Sequence, residues 1–132
     1  LALLAMAREK GVRLSELGTS LPRRFTASDR IQAVPTELSR ALIGRLEFDA
    51  RLAARLMAPD AGEVVALDTT DGLRATFASG EIVHLRPSGN APELRCYAEA
   101  PEGMRASTLC DRCLTRLSSY LHELHHQLRL PT

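Results

Sequence analysis

The sequence has no tryptophan, and its few phenylalanine and tyrosine residues bring the aromatic fraction to only 4%. Domains that stack single-stranded nucleic acid need aromatic rings, so this scarcity argues against that class of protein. Charge of either sign is also not in excess, because 17 lysine and arginine residues face 16 acidic residues, for a net charge of +1. A nucleic-acid-binding domain usually shows a clear basic excess. We therefore expect no nucleic-acid partner.

Long apolar runs are missing as well. No stretch approaches the roughly 20 apolar residues that a membrane-spanning helix needs, so we expect no membrane partner. The apolar opening of residues 1–7 has no basic segment before it and predicts a helix better than a signal peptide. Cysteine is scarce, with three residues in the chain. An odd number of cysteines without an export signal indicates reduced thiols and a cytoplasmic protein.

The length of 132 residues fits one domain with a piece of a neighbouring one. The chain opens on leucine rather than methionine, which we interpret as a fragment of a longer protein. Helical periodicity is expected over residues 1–9, and Pro22 stops any helix that reaches it. We therefore expect residues 1–22 to be the tail of a preceding domain and a hinge linker. Residues 23–132 then form the C-terminal domain.

Periodicity within that domain predicts an α+β fold. Apolar alternation and turn signals indicate strands, and spacing by three and four indicates helices. One helix is predicted to begin at Pro35, and Gly44 is a position at which this helix could be interrupted. The predicted elements are strands at 25–33, 63–68, 73–78, 81–85 and 93–98, and helices at 35–58 and 102–129. The result is an antiparallel sheet of four to five strands with helices packed on one face.

The last helix carries a continuous apolar stripe. Its apolar residues step by three and four positions, which places them on one side of a helix. We expect this stripe to pack on the face of the sheet that the strands leave uncovered and to be a main stabiliser of the domain. The stripe comprises Cys110, Leu114, Leu117, Leu121, Leu124 and Leu128.

Two strands are joined by a loop with unusual composition. Residues 86–95 read Arg-Pro-Ser-Gly-Asn-Ala-Pro-Glu-Leu-Arg. Pro87 and Pro92 fix the backbone and remove two amide donors. Gly89 allows close approach of a ligand to the backbone. The segment therefore predicts a rigid loop whose remaining amides can form an anion-binding concavity.

Side chains on and beside this loop favour a phosphate ligand. Ser88 and Asn90 supply neutral donors, and Arg86 and Arg95 flank the loop with guanidinium groups that match phosphate oxygens. Serine, glycine and asparagine are also common in ordinary turns. A plain hairpin loop, with the arginines in water or paired with Glu93 and Glu99, is therefore an equally open interpretation of these residues alone.

The segment from Asp71 to Glu99 resembles the C-terminal domain of the α-D-phosphohexomutase superfamily. In that family a strand ending Arg-Pro-Ser-Gly-Thr-Glu-Pro leads into a strand with Arg and then Tyr-x-Glu. The match here, spacing included, comprises Arg86, Pro87, Ser88, Gly89, Pro92, Arg95, Tyr97 and Glu99. Asn90-Ala91 replaces the usual Thr-Glu, which keeps a donor and removes a carboxylate. The flanking similarity extends over nearly the whole chain.

The resemblance implies a phosphosugar-binding domain with a TATA-box-binding-protein-like fold, the fourth domain of an enzyme. That enzyme interconverts hexose 6-phosphate and hexose 1-phosphate through a bisphosphate. It also implies phosphate binding by Arg86, Ser88, Gly89 and Asn90, with Arg95 as a supporting residue. The catalytic serine and the magnesium site are expected in the preceding three domains, so no catalytic or metal-binding residue is assigned here. Phosphomannomutase is the favoured activity, although this chain does not separate mannose from glucose.

Two other groups of residues could bind a ligand. Cys110-x-x-Cys113 precedes His122 and His126, but on one straight helix Cys110 and His122 lie about 18 Å apart. A single zinc site cannot use both pairs, so we expect core thiols and a solvated histidine face. His84 shares a strand face with Arg86, and we favour a role in filling the sheet surface over one in binding phosphate.

The alternative function is a non-enzymatic, protein-binding or regulatory module. It would use the long C-terminal helix as its contact surface. This interpretation predicts an exposed apolar patch on that helix and no anion at residues 86–92.

Overall fold

The computed structural model describes residues 24–128. The expected helix at 1–9 and the domain boundary at 22–23 lie outside these residues. One strand is followed by two helices, and four further strands are followed by a long helix. In chain order the elements are β1 (Phe25–Gln32), α1 (Thr36–Phe48), α2 (Ala50–Met57), β2 (Val64–Asp68), β3 (Leu73–Phe77), β4 (Ile82–Pro87), β5 (Glu93–Ala100) and α3 (Gly103–Leu128).

The five strands form a single antiparallel sheet in the order β1-β5-β4-β3-β2. The α+β prediction is therefore confirmed, and the sheet has the upper of the two predicted strand numbers. Strand β1 pairs with β5 over its whole length, from Phe25 opposite Ala100 to Gln32 opposite Glu93. The first and last strands of the described segment are thus neighbours, and β2 to β5 form a meander beside them.

The two faces of the sheet differ in chemistry because side chains alternate along each strand. One face carries buried residues such as Leu73, Val83, Leu94 and Cys96, and all three helices pack on it. The other face carries polar and charged side chains, and it is called the open face below. The stripe on α3 is buried from Cys110 to Leu124, so this part packs in the core as predicted, whereas Leu128, the last predicted member of the stripe, is 40% exposed.

The predicted helix over residues 35–58 is two helices. Gly44 lies inside α1, so the expectation of an interruption there was wrong. The break falls at Asp49, whose extended backbone (φ −127°, ψ 95°) ends α1. Its Oδ1 accepts hydrogen bonds from the backbone N–H groups of Arg51 and Leu52, both at 3.1 Å, and caps α2. Apolar periodicity alone predicts one continuous helix here, because it takes no account of a helix-capping aspartate.

A charged cluster joins α3 to the sheet at the β3–β4 turn. The Arg105 guanidinium donates to both oxygens of Glu81, at 2.7 and 2.9 Å. It also donates to both oxygens of Asp60, at 2.8 and 3.1 Å. These hydrogen bonds hold the pKa of Glu81 and the pKa of Asp60 below their ordinary values and raise the pKa of Arg105. Glu81 is buried. Through Asp60, Glu81 and Arg105, the cluster joins three separate segments of the chain.

Candidate phosphate site on the open face of the sheet

The loop between β4 and β5 is closed by backbone hydrogen bonds at its base. Ser88 N–H donates to the carbonyl of Glu93 at 2.9 Å, which continues the strand pairing by one step. The carbonyl of Pro92 accepts from Val34 N–H at 2.7 Å, just beyond the end of β1. The loop is therefore held from two sides, by its own hairpin and by the edge strand. Such support suits a site that must keep its donors in fixed positions.

The tip of the loop keeps backbone donors available. Within residues 24–128, the N–H groups of Gly89 and Ala91 have no protein acceptor. Asn90 N–H donates to Ser88 Oγ at 3.3 Å, which is a long bond that fixes the turn. Gly89 and Asn90 are exposed. Unpaired N–H groups at alternate positions of one turn can contribute to an anion-binding concavity.

Arg86 stands at the end of β4 beside this tip. Its side chain is 44% exposed, and its Nε lies 3.0 Å from Oδ2 of Asp71, which is itself 61% exposed. The sequence left Glu93 and Glu99 open as ion-pair partners of Arg86, and neither of them pairs with Arg86. An ion pair between two exposed side chains contributes about 0–1 kcal/mol, so a phosphate oxygen can replace the Asp71 carboxylate at small cost.

Arg95 lies one strand away, directly opposite Arg86 in the sheet register. Its Nε lies 3.9 Å from Oε1 of Glu93, so the pairing with Glu93 that the sequence left open is present, although at long range. The structure thus brings all five predicted residues to one end of the sheet. Four of them share the loop, and Arg95 belongs to the adjoining part of the open face.

His84 takes part in the sheet surface. Its Nε2 donates to the backbone carbonyl of Asp71 at 2.6 Å, and its ring lies 6.0 Å from that of Tyr97. This bond fixes the Asp71 backbone beside Arg86. His84 therefore orders the turn that carries the partner of Arg86, which agrees with the role favoured from the sequence.

A family model described as "Phosphoglucomutase/phosphomannomutase, C-terminal domain" matches residues 11–115. The chain belongs to this family. The resemblance drawn from the loop motif is therefore confirmed. The matched segment includes the whole sheet, the loop at residues 86–92 and the first half of α3.

Two relatives of this family domain are both named phosphomannomutase. The protein from Salmonella muenchen is 37% identical over 120 residues, and the protein from Sinorhizobium fredii is 40% identical over 119 residues. These alignments cover 91% and 90% of the present chain but only 25% of each relative. The chain thus spans about a quarter of the length of the relatives it matches.

Cys110 and Cys113 of this family domain are core thiols, as the sequence predicted. Cys96, Cys110 and Cys113 are buried and unbonded to one another. The neighbouring Cys96 thiol and burial raise the pKa of Cys110, so its reactive thiolate form is disfavoured. Within residues 24–128, no three histidine, cysteine or acidic side chains are grouped to hold a metal ion. No helix in that span has the length and apolarity to cross a membrane.

Sequence reasoning missed two residues of the site. Asp71 lies between two of the predicted strands, and Arg30 lies within the strand predicted at 25–33. Arg30 lies directly opposite Arg95 on the open face. The alternation of Thr26, Ser28 and Arg30 was the available signal for a polar strand face. The partner strand lies more than sixty positions later, so the alternation could not reveal which residues Arg30 would meet.

Proposed function

We propose that this chain is the phosphate-holding domain of a phosphohexomutase, an enzyme that interconverts hexose 6-phosphate and hexose 1-phosphate through a bisphosphate. One observation carries the proposal. The loop in the family's Arg-Pro-Ser-Gly motif presents N–H groups at Gly89 and Ala91 that have no acceptor among residues 24–128, next to the half-exposed guanidinium of Arg86. Membership of the family and the names of both relatives support the same activity.

The phosphate of the sugar binds at the tip of the loop. The Arg86 guanidinium leaves Asp71 and donates to two phosphate oxygens instead. Its planar shape favours this two-bond geometry. Gly89 N–H and the Asn90 side-chain amide donate to the remaining oxygens, and the Ser88 hydroxyl donates while still holding Asn90 N–H. Arg95 supports this arrangement from the next strand.

Chemistry at the sugar carbons belongs to other parts of the enzyme. Residues 1–22 act as the tail of the preceding domain and the hinge, and the preceding domains hold the phosphorylated serine and the magnesium ion. We expect the 132-residue chain to bind phosphate weakly and to leave mannose 1-phosphate unchanged. The three buried free cysteines fit a reducing cytoplasm, where the full enzyme is expected to act.

The proposal is tested by an NMR titration of the ¹⁵N-labelled chain with inorganic phosphate and with glucose 1,6-bisphosphate. We expect amide signals of residues 88–91 to shift as the site fills. Arg86→Ala is expected to weaken binding by about tenfold or more, because charge-assisted hydrogen bonds to phosphate are lost.

Arg40→Ala is the matched control, since Arg40 is an exposed arginine on α1, in the helical layer. It should bind phosphate as the wild type does. Equal affinity in Arg86→Ala and Arg40→Ala would reject the loop as a phosphate clamp. Turnover of mannose 1-phosphate by the chain alone would contradict the assignment of catalysis to other domains.

A protein-binding module that uses α3 is less well supported. From Cys110 to Leu124 the apolar stripe of α3 is buried in the core of this domain. That burial leaves the middle of the helix without the broad apolar patch that the alternative function needs.

A further inference from the structure

The last turns of α3 carry two histidines on one face of the helix. Residues 122–126 read His-Glu-Leu-His-His. His122 and His126 are four positions apart, and residues with this separation lie one above the other on a helix. The pattern His-Glu-x-x-His places two zinc-binding imidazoles on one helix face in metalloproteases. The local sequence therefore has the spacing that a divalent metal ion requires of two helical ligands.

The two rings also have the separation that a shared metal ion needs. The centroids of the His122 and His126 rings lie 4.9 Å apart, with an interplanar angle of 81°. A zinc–nitrogen bond is about 2.0–2.1 Å long, and tetrahedral coordination then puts the centroids of two imidazoles about 5 Å apart. The rings are therefore close enough to share one zinc ion, and rotation of these exposed side chains can direct one nitrogen of each ring toward it.

Both imidazoles are available to a ligand. The side chains of His122 and His126 are exposed. Among the histidines that the structure describes, only His84 forms a side-chain hydrogen bond with another described residue. Neutral imidazole is the commonest metal ligand in proteins. Metal binding by this pair thus breaks no hydrogen bond between described residues.

A cavity in the helical layer lies beside the histidine pair. Its volume is about 770 Å³, and its lining includes His122, His125 and His126 on α3. The rest of the lining is largely apolar and includes Ile31, Val34, Pro35 and Leu38, from the end of β1 and the start of α1. A zinc ion with two protein ligands keeps further coordination positions open. The cavity provides room for water molecules at those positions.

The described residues supply two ligands and no third one. Within residues 24–128, no set of three histidine, cysteine or acidic side chains is grouped to hold a metal ion. Glu123 lies with His122 beside a different cavity, between α2 and α3, and is not a ligand of the same ion. A site with two protein ligands binds zinc less tightly than the four-ligand sites of structural zinc domains. The inference therefore concerns metal binding and not hydrolysis.

We propose that His122 and His126 form a divalent metal site on α3, which takes Zn²⁺ with two imidazole nitrogens as protein ligands and water in the remaining positions. Imidazole suits zinc, copper and nickel, whereas magnesium and calcium take oxygen ligands. The ion joins two successive turns of α3, so its binding stabilises the end of the helix. The site is independent of the phosphate loop and of the function proposed above.

The test follows the imidazole rings directly, in the chain without a histidine tag. The ¹⁵N-labelled protein is titrated with Zn²⁺ and, separately, with Mg²⁺ at equal ionic strength. We expect the ring signals of His122 and His126 to shift until one Zn²⁺ is bound per chain, and not to shift with Mg²⁺. The ring signal of His84, which lies on the sheet, should stay unchanged in both titrations.

Variants separate the spacing of the pair from the number of histidines, with affinity measured by isothermal titration calorimetry. His122→Gln should weaken Zn²⁺ binding by about tenfold or more, because one of the two protein ligands is lost. His126→Gln combined with Gln127→His keeps the four histidines of the chain but turns one of them about 100° around the helix, so the same loss is expected. His125→Gln is the matched control, since it keeps the pair and should bind as the wild type does.

Several results would overturn the site. Zn²⁺ shifts at His84 as large as those at His122 and His126 would show general binding to surface histidines. Zn²⁺ affinity equal to that of the wild type in His122→Gln, or in the exchange of residues 126 and 127, would reject the pair as the ligands. A loss in His125→Gln as large as that in His122→Gln would do the same. Because the wild-type ring signals are read first, the result does not depend on how well any variant folds.

Discussion

At the scale of single residues, Gly89 is a position where the proposed ligand loop can be tested. Its backbone lies outside the left-handed region, and a Cβ placed on it meets no atom of the described residues within 4 Å. Neither the backbone conformation nor the packing of the protein therefore requires glycine at this position. Space beside its N–H group is what the missing side chain provides.

Gly89→Ala should therefore separate binding from folding. We expect the free energy of unfolding to stay within about 0.5 kcal/mol of the wild-type value, because the added methyl group meets no protein atom. Phosphate affinity should fall, since the same methyl group occupies the approach to the loop. Urea denaturation and phosphate titration of one preparation check both expectations. A loss of stability with unchanged affinity would show that the glycine serves the fold.

Asp71 competes with the ligand for Arg86, so removing its charge should strengthen binding. In Asp71→Asn the side-chain shape is kept, and the backbone carbonyl that accepts from His84 is unchanged. Because the exposed Arg86 pair contributes about 0–1 kcal/mol, we expect phosphate to bind about two- to fivefold more tightly at low salt. Calorimetric titration measures the change, and a weaker affinity would mean that Asp71 orients Arg86 for the ligand.

The residues of the loop could be predicted from sequence because their roles are local. Prolines, a glycine and short polar side chains in series specify a rigid turn with free donors. The partners of the arginines could not be predicted this way. Asp71 reaches Arg86 only through the register of β3 and β4, in which Leu73 lies opposite Leu85. Arg30 reaches Arg95 only through pairing of the two most distant strands.

At the scale of elements, the turn before β3 holds the site against the sheet. Gly72 has a positive φ of 73°, and a Cβ on it would collide with the backbone carbonyl oxygen of Leu85. The turn thus passes directly over β4, next to Arg86. Only glycine allows this close approach of two backbones.

Gly72→Ala should destabilise the domain by about 2–3 kcal/mol, because the strained φ and the collision with β4 act together. Gly80→Ala is the comparison. Gly80 has a positive φ of 89° but open space around its Cβ position, so about 1 kcal/mol is expected. Thermal and urea unfolding of the two variants measure the difference. Equal destabilisation would show that strain alone, without the contact to Leu85, accounts for the effect at Gly72.

Element types followed from the sequence more readily than their arrangement. The meander and α3 were predicted within two residues at most ends because periodicity of two and of 3.6 is a local property. Asp49 divided one predicted helix into two, since a capping side chain overrides a continuous apolar stripe. The position of β1 beside β5 depends on contacts across the whole domain, and no local pattern encodes it.

At the scale of the whole molecule, Arg105 should make stability depend on pH. Its hydrogen bonds lower the pKa of Glu81 and the pKa of Asp60. Groups with a lowered pKa contribute stability that is present above their unfolded pKa, near 4, and is lost as the pH falls through the folded value. We therefore expect the urea midpoint to fall steeply below about pH 4.5.

Arg105→Gln should remove about 2–4 kcal/mol at pH 7, because buried Glu81 loses its charged partner. Its urea midpoint should also change less than that of the wild type between pH 7 and pH 3. Arg51→Gln, an exposed change on α2, is the control and should follow the wild type. If the urea midpoint of Arg105→Gln depends on pH as strongly as that of the wild type, other carboxylates cause the pH dependence.

Pairing of β1 with β5 has a mechanical consequence. The described chain enters the sheet at Phe25, opposite Ala100, whereas the phosphate loop lies beside Gln32 at the other end of the same strand pair. Eight strand residues separate the two ends by about 25 Å. A pivot of about 10° at the entry end would carry the loop through an arc of about 4 Å, roughly the size of a phosphate group. Under the proposed function, the strand pair would act as a lever that turns a slight rotation into the opening or closing of a gap around a sugar phosphate.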